Sequence, residues 1–336
     1  MESENRVRKI FGLGETVYDI LFKNNQPISA KPGGSVYNAL ISLGRLGLNP
    51  AFISEIGDDK IGNLICDFLK ENDVETKYIY SFDRGKTPLA LAFLDEKQNA
   101  DYLFYKDYPS QRLDYITPRI DENDIVIIGS YFALNPVLRD KVVEFLEYAQ
   151  SRKAIIYYDV NFRKSHINDV RFLMPSILEN YEFADIVKGS DEDFMNIYGE
   201  EDALKNYKEN IEYYSKNFIY TRWDKGSVVF GKNIKKEFTA KSIVPVINVG
   251  AGDNFNAGII YGILKENIVR DDLKNGLTEE QWCKIVQYAI DFSSEVCTTL
   301  DNYISVDFAK QVISKWYNLS DFYKVTFINY DFCFWM

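Results

Sequence analysis

One stretch, VINVGAGDNFNAGIIYGIL at Val246–Leu264, constrains the fold of this 336-residue chain more than any other. A β-branched run leads into the turn Gly250-Ala251-Gly252, and an apolar helical segment starts at Asp253. The two glycines allow backbone conformations that side chains exclude. The first N–H groups of a helix point outward with the positive end of its dipole. The strand, the turn and the helix start together predict an anion-binding site, and phosphate is the expected ligand.

The carboxylate of Asp253 falls in the first turn of that helix, so we expect it beside the bound anion. There it would repel a resting phosphate, but it could accept the proton of an attacking hydroxyl. Donors for the charge and an oriented proton acceptor are what a phosphoryl transferase needs. A purely structural interpretation also stands, because aspartate in a glycine-rich turn is common at a helix start.

A second glycine-rich pattern lies near the N-terminus. It reads Gly33-Gly34-Ser35-Val36-Tyr37-Asn38 and is followed by Leu43–Gly47, Ile56–Asp59 and Gly62. Together with Asn248–Phe255, it resembles the two signatures of the ribokinase-like (PfkB) carbohydrate kinase family. Two signatures in the right order are far more specific than either alone. The resemblance runs from about Ile10 to about Val306.

The family resemblance implies an α/β fold, ribokinase-like, with a mostly parallel central sheet flanked by helices and a small β lid. The chain supports this fold, because apolar strand-like runs alternate with helix-like segments. The predicted strands are Ile10–Gly14, Ala51–Ser54, Ile125–Gly129, Ala154–Asp159, Ile186–Lys188, Phe218–Thr221 and Val228–Phe230. The predicted helices are Val36–Leu46, Ile61–Leu69, Val137–Tyr148, Gln281–Thr299 and Val306–Tyr317.

Two extended, aromatic segments, Thr16–Phe22 and Leu89–Tyr105, predict a small separate sheet. The alternative is that they form edge strands of the main sheet. In the resembled family such strands form a lid over the sugar. We expect substrate or a partner subunit to cover the lid's aromatic face, so the chain is predicted to form a homodimer through the lid.

The predicted organisation is a kinase domain over residues 1–320, with lid strands near 15–24 and 86–106, and an aromatic tail over 321–336. The tail contains the run Val325–Met336, which lies beyond the resemblance. We expect it to pack on the domain or at a subunit contact, because an exposed aromatic run would be adhesive.

The resemblance also implies site residues, position by position. Asp253 would be the catalytic base, and Gly250, Ala251 and Gly252 would hold the developing charge. The residues implied in substrate binding are Asp19, Gly33, Gly34, Asn38 and Arg163, the last of which belongs to the D-x-N-x-R segment Asp159–Arg163. The residues implied in nucleotide binding are Lys188, Ser190, Asp193, Thr221 and Gly226.

ATP and Mg²⁺ are the implied cosubstrate and metal. Asp193 would act on the metal indirectly, through water, since Mg²⁺ usually keeps several waters. An acidic helix N-terminus that complements the dipole is the structural alternative, and both interpretations can hold together. Potassium is implied near Asn248, where relatives have an aspartate that helps hold a monovalent cation. The amide oxygen of Asn248 can ligate a cation but adds no net charge.

Three positions depart from the family pattern. Trp223 replaces a glycine of the T-x-G-x-x-G nucleotide loop, so either the loop bends differently or the indole lies against the adenine. Ile290 stands in place of an asparagine near the adenine, and Asp301 in place of a glycine. Trp223, Asn248 and Ile290 motivate a second hypothesis, a non-catalytic sugar-binding protein. The intact Gly250–Asp253 favours a kinase.

The predicted function is therefore an ATP-dependent sugar kinase. Fructose is the favoured substrate because Asp159–Arg163 and the lid segment Tyr102–Tyr105 are fructokinase-like, and the alternatives are ribose, 2-keto-3-deoxygluconate and nucleosides. A nicotinamide-dependent enzyme is poorly supported. Gly12-Leu13-Gly14 follows a strand, but Val17 stands where G-x-G-x-x-G has its third glycine.

Composition excludes several other classes. The net charge of −11 disfavours a nucleic-acid partner, which needs a basic footprint. The sequence has no apolar run long enough to predict a membrane span. The charged start MESENRVRK indicates that no secretion signal is present, so we expect a cytoplasmic protein. The single histidine, His166, cannot build a Ser-His-Asp triad unaided and is predicted to lie on the surface or in a loop. No CxxC pair signals a zinc or disulfide framework; the cysteines are Cys66, Cys283, Cys297 and Cys333.

Overall fold

The computed structural model describes residues 7–95, 100–232, 234–246 and 248–314. Within these ranges thirteen strands form a nine-stranded main sheet and a separate four-stranded sheet. The strands in chain order are β1 Ile10–Leu13, β2 Val17–Lys23, β3 Gln26–Gly33, β4 Ala51–Gly57, β5 Ile79–Phe82, β6 Lys86–Leu94, β7 Ala100–Asp107, β8 Ile125–Gly129, β9 Ile155–Asp159, β10 Ile186–Ser190, β11 Phe218–Thr221, β12 Ser227–Gly231 and β13 Ile234–Phe238.

The main sheet has the order β13-β12-β11-β10-β9-β8-β1-β4-β5. All pairs from β11 to β5 are parallel, and β12 and β13 add an antiparallel edge. Parallel strands covered by helices on both faces read as continuous apolar runs, which explains why β1, β8 and β9 are buried throughout. The predicted mostly parallel α/β sheet is confirmed.

Helices cover both faces of this sheet. They are α1 Ser35–Arg45, α2 Lys60–Glu71, α3 Arg139–Ser151, α4 Val170–Phe183, α5 Asp191–Tyr198, α6 Ala203–Asn206, α7 Ala251–Lys265, α8 Arg270–Asn275 and α9 Glu279–Cys297. Alternate residues of β8 belong to different core clusters: Ile125 and Ile127 to one, Val126 and Ile128 to the other. Successive strand residues point to opposite faces, so α1, α2, α7 and α9 cover one face and α3, α4 and α5 cover the other.

The second sheet has the order β3-β2-β6-β7, and β2 runs parallel to β6. It confirms that the two aromatic segments form a separate sheet and are not edge strands of the main one. Strand β3 is not among the predicted strands, because Pro27, Pro32 and Gly33 are typical of turns. At a sheet edge, proline costs no ladder hydrogen bond, and β3 pairs with β2 alone.

The prediction that a strand leads into Gly250 is wrong. None of the described residues between β13 and α7 is in a strand. Instead, the Val246 N–H donates to the Cys297 carbonyl at 2.8 Å. The segment is therefore tied to the end of α9 and not to the sheet.

Two other sequence predictions meet the limits of the described chain. Of the predicted helix Val306–Tyr317, residues 306–314 are helical and the rest lies outside the described residues, as does the tail 321–336. None of the helices within the described ranges combines the length and apolar character that a membrane crossing requires.

Helices α7 and α9 pack at very close range because α7 presents glycine to its neighbour. A Cβ atom at Gly258 would lie 2.6 Å from the backbone nitrogen of Ala289, and one at Gly262 would lie 2.8 Å from Ile285 Cα. The obstacles are backbone atoms, which cannot move aside like a flexible side chain. Glycine here sets the distance between the two helices.

We expect Gly258→Ala to lower the free energy of unfolding by about 1–3 kcal/mol, the usual effect of overpacking. In a solvent-exposed helix the same change would raise the free energy of unfolding. The sign of the change in that free energy therefore shows whether α7 and α9 approach closely at Gly258. Urea denaturation measures the effect. Glu147→Ala on the exposed face of α3 is the control, and a Gly258→Ala variant at least as stable as the parent would contradict the packing.

Candidate active site

Helix α7 starts without a capping side chain among the described residues, and its N-cap is Gly250 with φ 84°. That left-handed conformation favours glycine. A Cβ atom at Gly250 would also lie 2.6 Å from the carbonyl oxygen of Asn302. We call Gly250–Gly252 the anion turn. Helix dipole and free N–H groups make this end of α7 suited to phosphate.

Asp253 lies in the first turn of α7, as predicted, although the helix begins two residues earlier than expected, at Ala251, and Asp253 contacts the N-terminal signature directly. Asn38 Nδ2 of α1 donates to Asp253 Oδ2 at 2.8 Å. Burial raises the pKa of the half-buried Asp253, the hydrogen bond from Asn38 opposes that shift, and the charge of Asp159 adds to it. A carboxylate with a raised pKa is a stronger proton acceptor, which suits a general base.

Asp19 and Gly33 lie side by side in the lid. A Cβ atom at Gly33 would overlap Asp19 Oδ2, so glycine at this position makes room for the carboxylate. Gly34 follows as the N-cap of α1. Burial raises the pKa of Asp19 to about 7; the charge of Asp253 acts in the same direction, and Lys31 and Arg163 oppose it. Asp19 lines a small cavity between the four-stranded sheet and the segments that precede α7 and follow α9; the other lining residues are Leu21, Ser29, Lys31, Ala92, Tyr102, Val249 and Asn302.

Beneath the anion turn lies a buried ion pair. Lys188 Nζ is 2.9 Å from Asp159 Oδ1, and both side chains are almost fully buried. A Cβ atom at Gly252 would lie 3.5 Å from Lys188 Nζ, so the ammonium reaches the turn. Burial alone would lower the pKa of Lys188, but Asp159 and Asp193 outweigh it and raise the pKa, which keeps the lysine charged.

The orientation of Asp159 is fixed by polar side chains behind it. Asn256 Nδ2 of α7 donates to Asp159 Oδ2 at 2.7 Å, and Tyr157 donates its hydroxyl to Asn256 Oδ1 at 2.9 Å. All three side chains are buried. Sequence reasoning missed Asn256 as part of the site. The available signal was a polar residue at an interior position of an otherwise apolar helix.

Ser190 and Asp193 form a capping box at the start of α5. Asp193 Oδ2 accepts from the Ser190 N–H at 2.7 Å and from its hydroxyl at 2.8 Å, and Oδ1 accepts from the Phe162 N–H at 2.6 Å. Both carboxylate oxygens therefore have partners within the chain. This geometry matches the structural interpretation of Asp193, and its role toward Mg²⁺ stays a prediction. Among the residues described, no group of three or more His, Cys, Asp or Glu side chains could hold a metal.

The nucleotide loop predicted from T-x-G-x-x-G joins β11, which ends at Thr221, to β12. Trp223 has φ 47°, and Gly226 has φ 83°. Trp223 thus adopts a left-handed conformation that favours glycine, at a steric cost, and the residue is 58% exposed. Ile290 is buried in the core against α7. Both alternatives, a loop that bends differently and an indole that lies against the adenine, stay predictions.

Arg163 is exposed at the start of a short 3-10 helix, Lys164–Asp169, and its charge lowers the pKa of both Asp19 and Asp253. His166 lies in the same short helix, as the loop prediction expected, and stacks on Tyr131 with ring centroids 4.1 Å apart. Burial and the charge of Lys106 lower the pKa of His166. Asn248 contributes a backbone carbonyl to the Ala251 N–H at 3.5 Å.

Asp19 is the residue predicted to bind sugar hydroxyls, so the raised pKa of its carboxylate predicts a sugar affinity that depends on pH. If hydroxyl recognition needs the ionised form, with a pKa of about 7, the Kd for fructose should be roughly 10-fold weaker at pH 6 than well above pH 7. Isothermal titration calorimetry without nucleotide measures this. Asp19→Asn should bind more weakly at every pH and lose the pH dependence; an unchanged pH profile in that variant would contradict the assignment.

This site combines a helix start suited to an anion with a carboxylate that can accept a proton, which is the chemistry that a phosphoryl transferase needs. The chain belongs to the pfkB family of carbohydrate kinases, whose sequence pattern matches residues 9–309. The predicted family, fold and enzyme class are thereby confirmed.

Individual relatives agree with this class. The chain is 28% identical over 255 residues to probable fructokinase-4 of Arabidopsis thaliana, and the matched region covers 72% of this chain and 76% of the relative. It is 27% identical over 252 residues to 5-dehydro-2-deoxygluconokinase of Geobacillus thermodenitrificans, covering 69% and 72%. The solved fructokinase of Vibrio cholerae O395, bound to fructose, ADP and a calcium ion, has a TM-score of 0.77 at 18% identity and covers 89% of this chain and 96% of that one. At this identity the likeness shows the fold.

Proposed function

We propose that this sugar kinase transfers the γ-phosphate of ATP to a hydroxyl of a monosaccharide, with fructose as the favoured substrate. The contact between Asn38 and Asp253 carries the proposal. It brings the predicted sugar-binding signature within one hydrogen bond of the carboxylate at the anion turn. A hydroxyl held by Asp19 and Asn38 would then lie beside both a proton acceptor and a phosphate site.

In the reaction, Asp253 accepts the proton of the sugar hydroxyl as its oxygen bonds to the γ-phosphorus. The bond from that phosphorus to the bridging oxygen breaks, and ADP leaves. The N–H groups of the anion turn stabilise the charge on the transferred group, and the Lys188 ammonium adds to them from below. Mg²⁺, when bound, would neutralise phosphate charge, with Asp193 as the predicted residue acting through water.

The choice of fructose rests on named relatives and on Asp159–Arg163. A relative named for 5-dehydro-2-deoxygluconate has almost the same identity, so a deoxy sugar acid is a further candidate. The predicted alternatives 2-keto-3-deoxygluconate, ribose and nucleosides also stay open. Arg163 is exposed near Asp19 and Asp253, where it could pair with phosphate through its planar fork. It could equally pair with the carboxylate of a sugar acid.

The test is ADP release from ATP and Mg²⁺ with fructose, ribose, 2-keto-3-deoxygluconate and adenosine in turn. We expect sugar-dependent ADP release that falls roughly 10²–10⁴-fold in Asp253→Asn, since that variant lacks the base, while fructose still binds. Asp271→Asn, an exposed aspartate of α8, is the matched control. Near-normal turnover in Asp253→Asn would refute the mechanism. Sugar binding by the parent without any turnover would favour the non-catalytic alternative.

A homodimer through the lid is part of the proposal. Leu91 of β6 pairs with Ile20 of β2 and Leu103 of β7, so these apolar side chains share one face of the small sheet. The opposite face carries Asp19 and Tyr102 toward the cavity. Leu103 is 50% exposed and Phe93 38%. An apolar face of this kind typically marks an interface. ATP use and a cytoplasmic location likewise stay predictions.

We expect the parent chain to sediment as a dimer and Leu103→Asp to sediment as a monomer, because the new charge would be buried against the partner lid. Analytical ultracentrifugation measures the mass. Val137→Asp, an apolar residue 68% exposed far from the lid in sequence, is the control. A monomeric parent chain, or a dimeric Leu103→Asp, would contradict the lid interface.

A further inference from the structure

We propose that Lys31 is a positioning residue that holds the anion turn in place from the lid. This inference rests on the proposed function and deepens it. Lys31 lies on β3 of the small sheet. Its ammonium donates to the backbone carbonyl of Leu300 and lies 3.4 Å from Asp301 Oδ1, and its side chain is only 13% exposed. The contact joins the lid to residues 300–304, which we call the 300–304 loop.

The 300–304 loop is in turn fixed to the anion turn. Asn254 Nδ2 donates both to the Asn302 carbonyl and to the Gly250 carbonyl, each at 2.7 Å. A Cβ atom at Gly250 would lie 2.9 Å from Asn302 Cα, so the two backbones touch. A displacement of Asn302 therefore displaces Gly250 and the N–H groups that follow it.

A second support reaches the loop from α1. Ser42 donates its hydroxyl to Asn254 Oδ1 at 2.5 Å and accepts from the Ile304 N–H at 3.1 Å. These atoms are buried, so this end of the loop is rigid. The Lys31 end differs, because it depends on β3 of the small sheet, and Ser29 and Lys31 of that strand line the cavity.

The chemistry of the contact suits a cation. Leu300 lies three residues after the end of α9, where the negative end of the helix dipole favours a positive charge. Lys31 also lines the cavity that holds Asp19 and Asn302. Sugar that fills this cavity would order β2 and β3, and the ammonium would pass that ordering to the loop and the anion turn. Lys31 thus links sugar binding to the readiness of the phosphate site.

The first experiment compares Lys31→Met with the parent in steady-state kinetics on fructose and ATP at a pH well above 7. At that pH the Asp19 carboxylate, whose pKa the charge of Lys31 lowers, is ionised, so that effect of Lys31 does not enter the KM for fructose. A misplaced anion turn should lower kcat by roughly 10-fold or more, while the KM for fructose stays within about 2-fold. Lys31→Arg should recover part of kcat because it keeps the charge. Lys86→Met, an exposed lysine of the same sheet, is the matched control. A raised KM with normal kcat would make Lys31 a sugar ligand and overturn the proposal.

Chemical rescue makes the test independent of any loss of stability. In Lys31→Ala, methylammonium chloride should restore part of kcat, and choline chloride at equal ionic strength should not, since choline has no N–H donor. Equal effects of both salts would overturn the role of the ammonium. A parent enzyme without fructose-dependent turnover would contradict the proposed function. If the parent is active and Lys31→Met has the same kcat, the result would contradict the role of Lys31 but not the proposed function.

Discussion

The packing of α1 against α7 is the contact on which the rest of the site depends. The two helices belong to signatures more than two hundred residues apart, and two polar contacts fix their register. Asn38 meets Asp253, and one turn further along α1 Ser42 meets Asn254. Buried hydrogen bonds are costly to leave unmade, so a sliding of one helix along the other would break both at once. The register of this helix pair sets where substrate hydroxyl and phosphate meet.

Around this contact the site carries more negative than positive charge. Asp19, Asp159, Asp193 and Asp253 contribute four carboxylates to this region, and burial raises the pKa of Asp19, Asp193 and Asp253. Lys188 neutralises part of this charge from below. An arrangement with surplus carboxylates holds phosphate poorly by itself. It favours a phosphate that arrives together with its own counter-ion, which fits a metal-bound nucleotide.

Sequence predicted the main sheet well because its strands are buried on both faces and read as unbroken apolar runs. The sequence also predicted that Asp253, Asn38, Asp19 and the glycines of both signatures belong to one site, because these residues lie in short contiguous motifs. It failed where structure depends on distant partners. No strand was predicted at Pro32 and Gly33, because proline and glycine are typical of turns, yet pairing with β2 makes them part of β3. The segment before Gly250 reads as a strand, yet it bonds to the end of α9. Lys31 and Asn302 carry no local signal at all.

Trp223 in the predicted nucleotide loop shows that the backbone path of a turn can be independent of the side chain at a given position. The Arg222 N–H bonds to the Gly226 carbonyl at 2.7 Å, and a side chain at Gly226 would overlap the Phe238 carbonyl. These neighbours impose the path of the loop, so Trp223 follows it despite the strain. The path of this turn is therefore set by its tertiary contacts and not by the conformational preference of residue 223. A substitution at residue 223 would change the strain that the turn holds and leave its path in place.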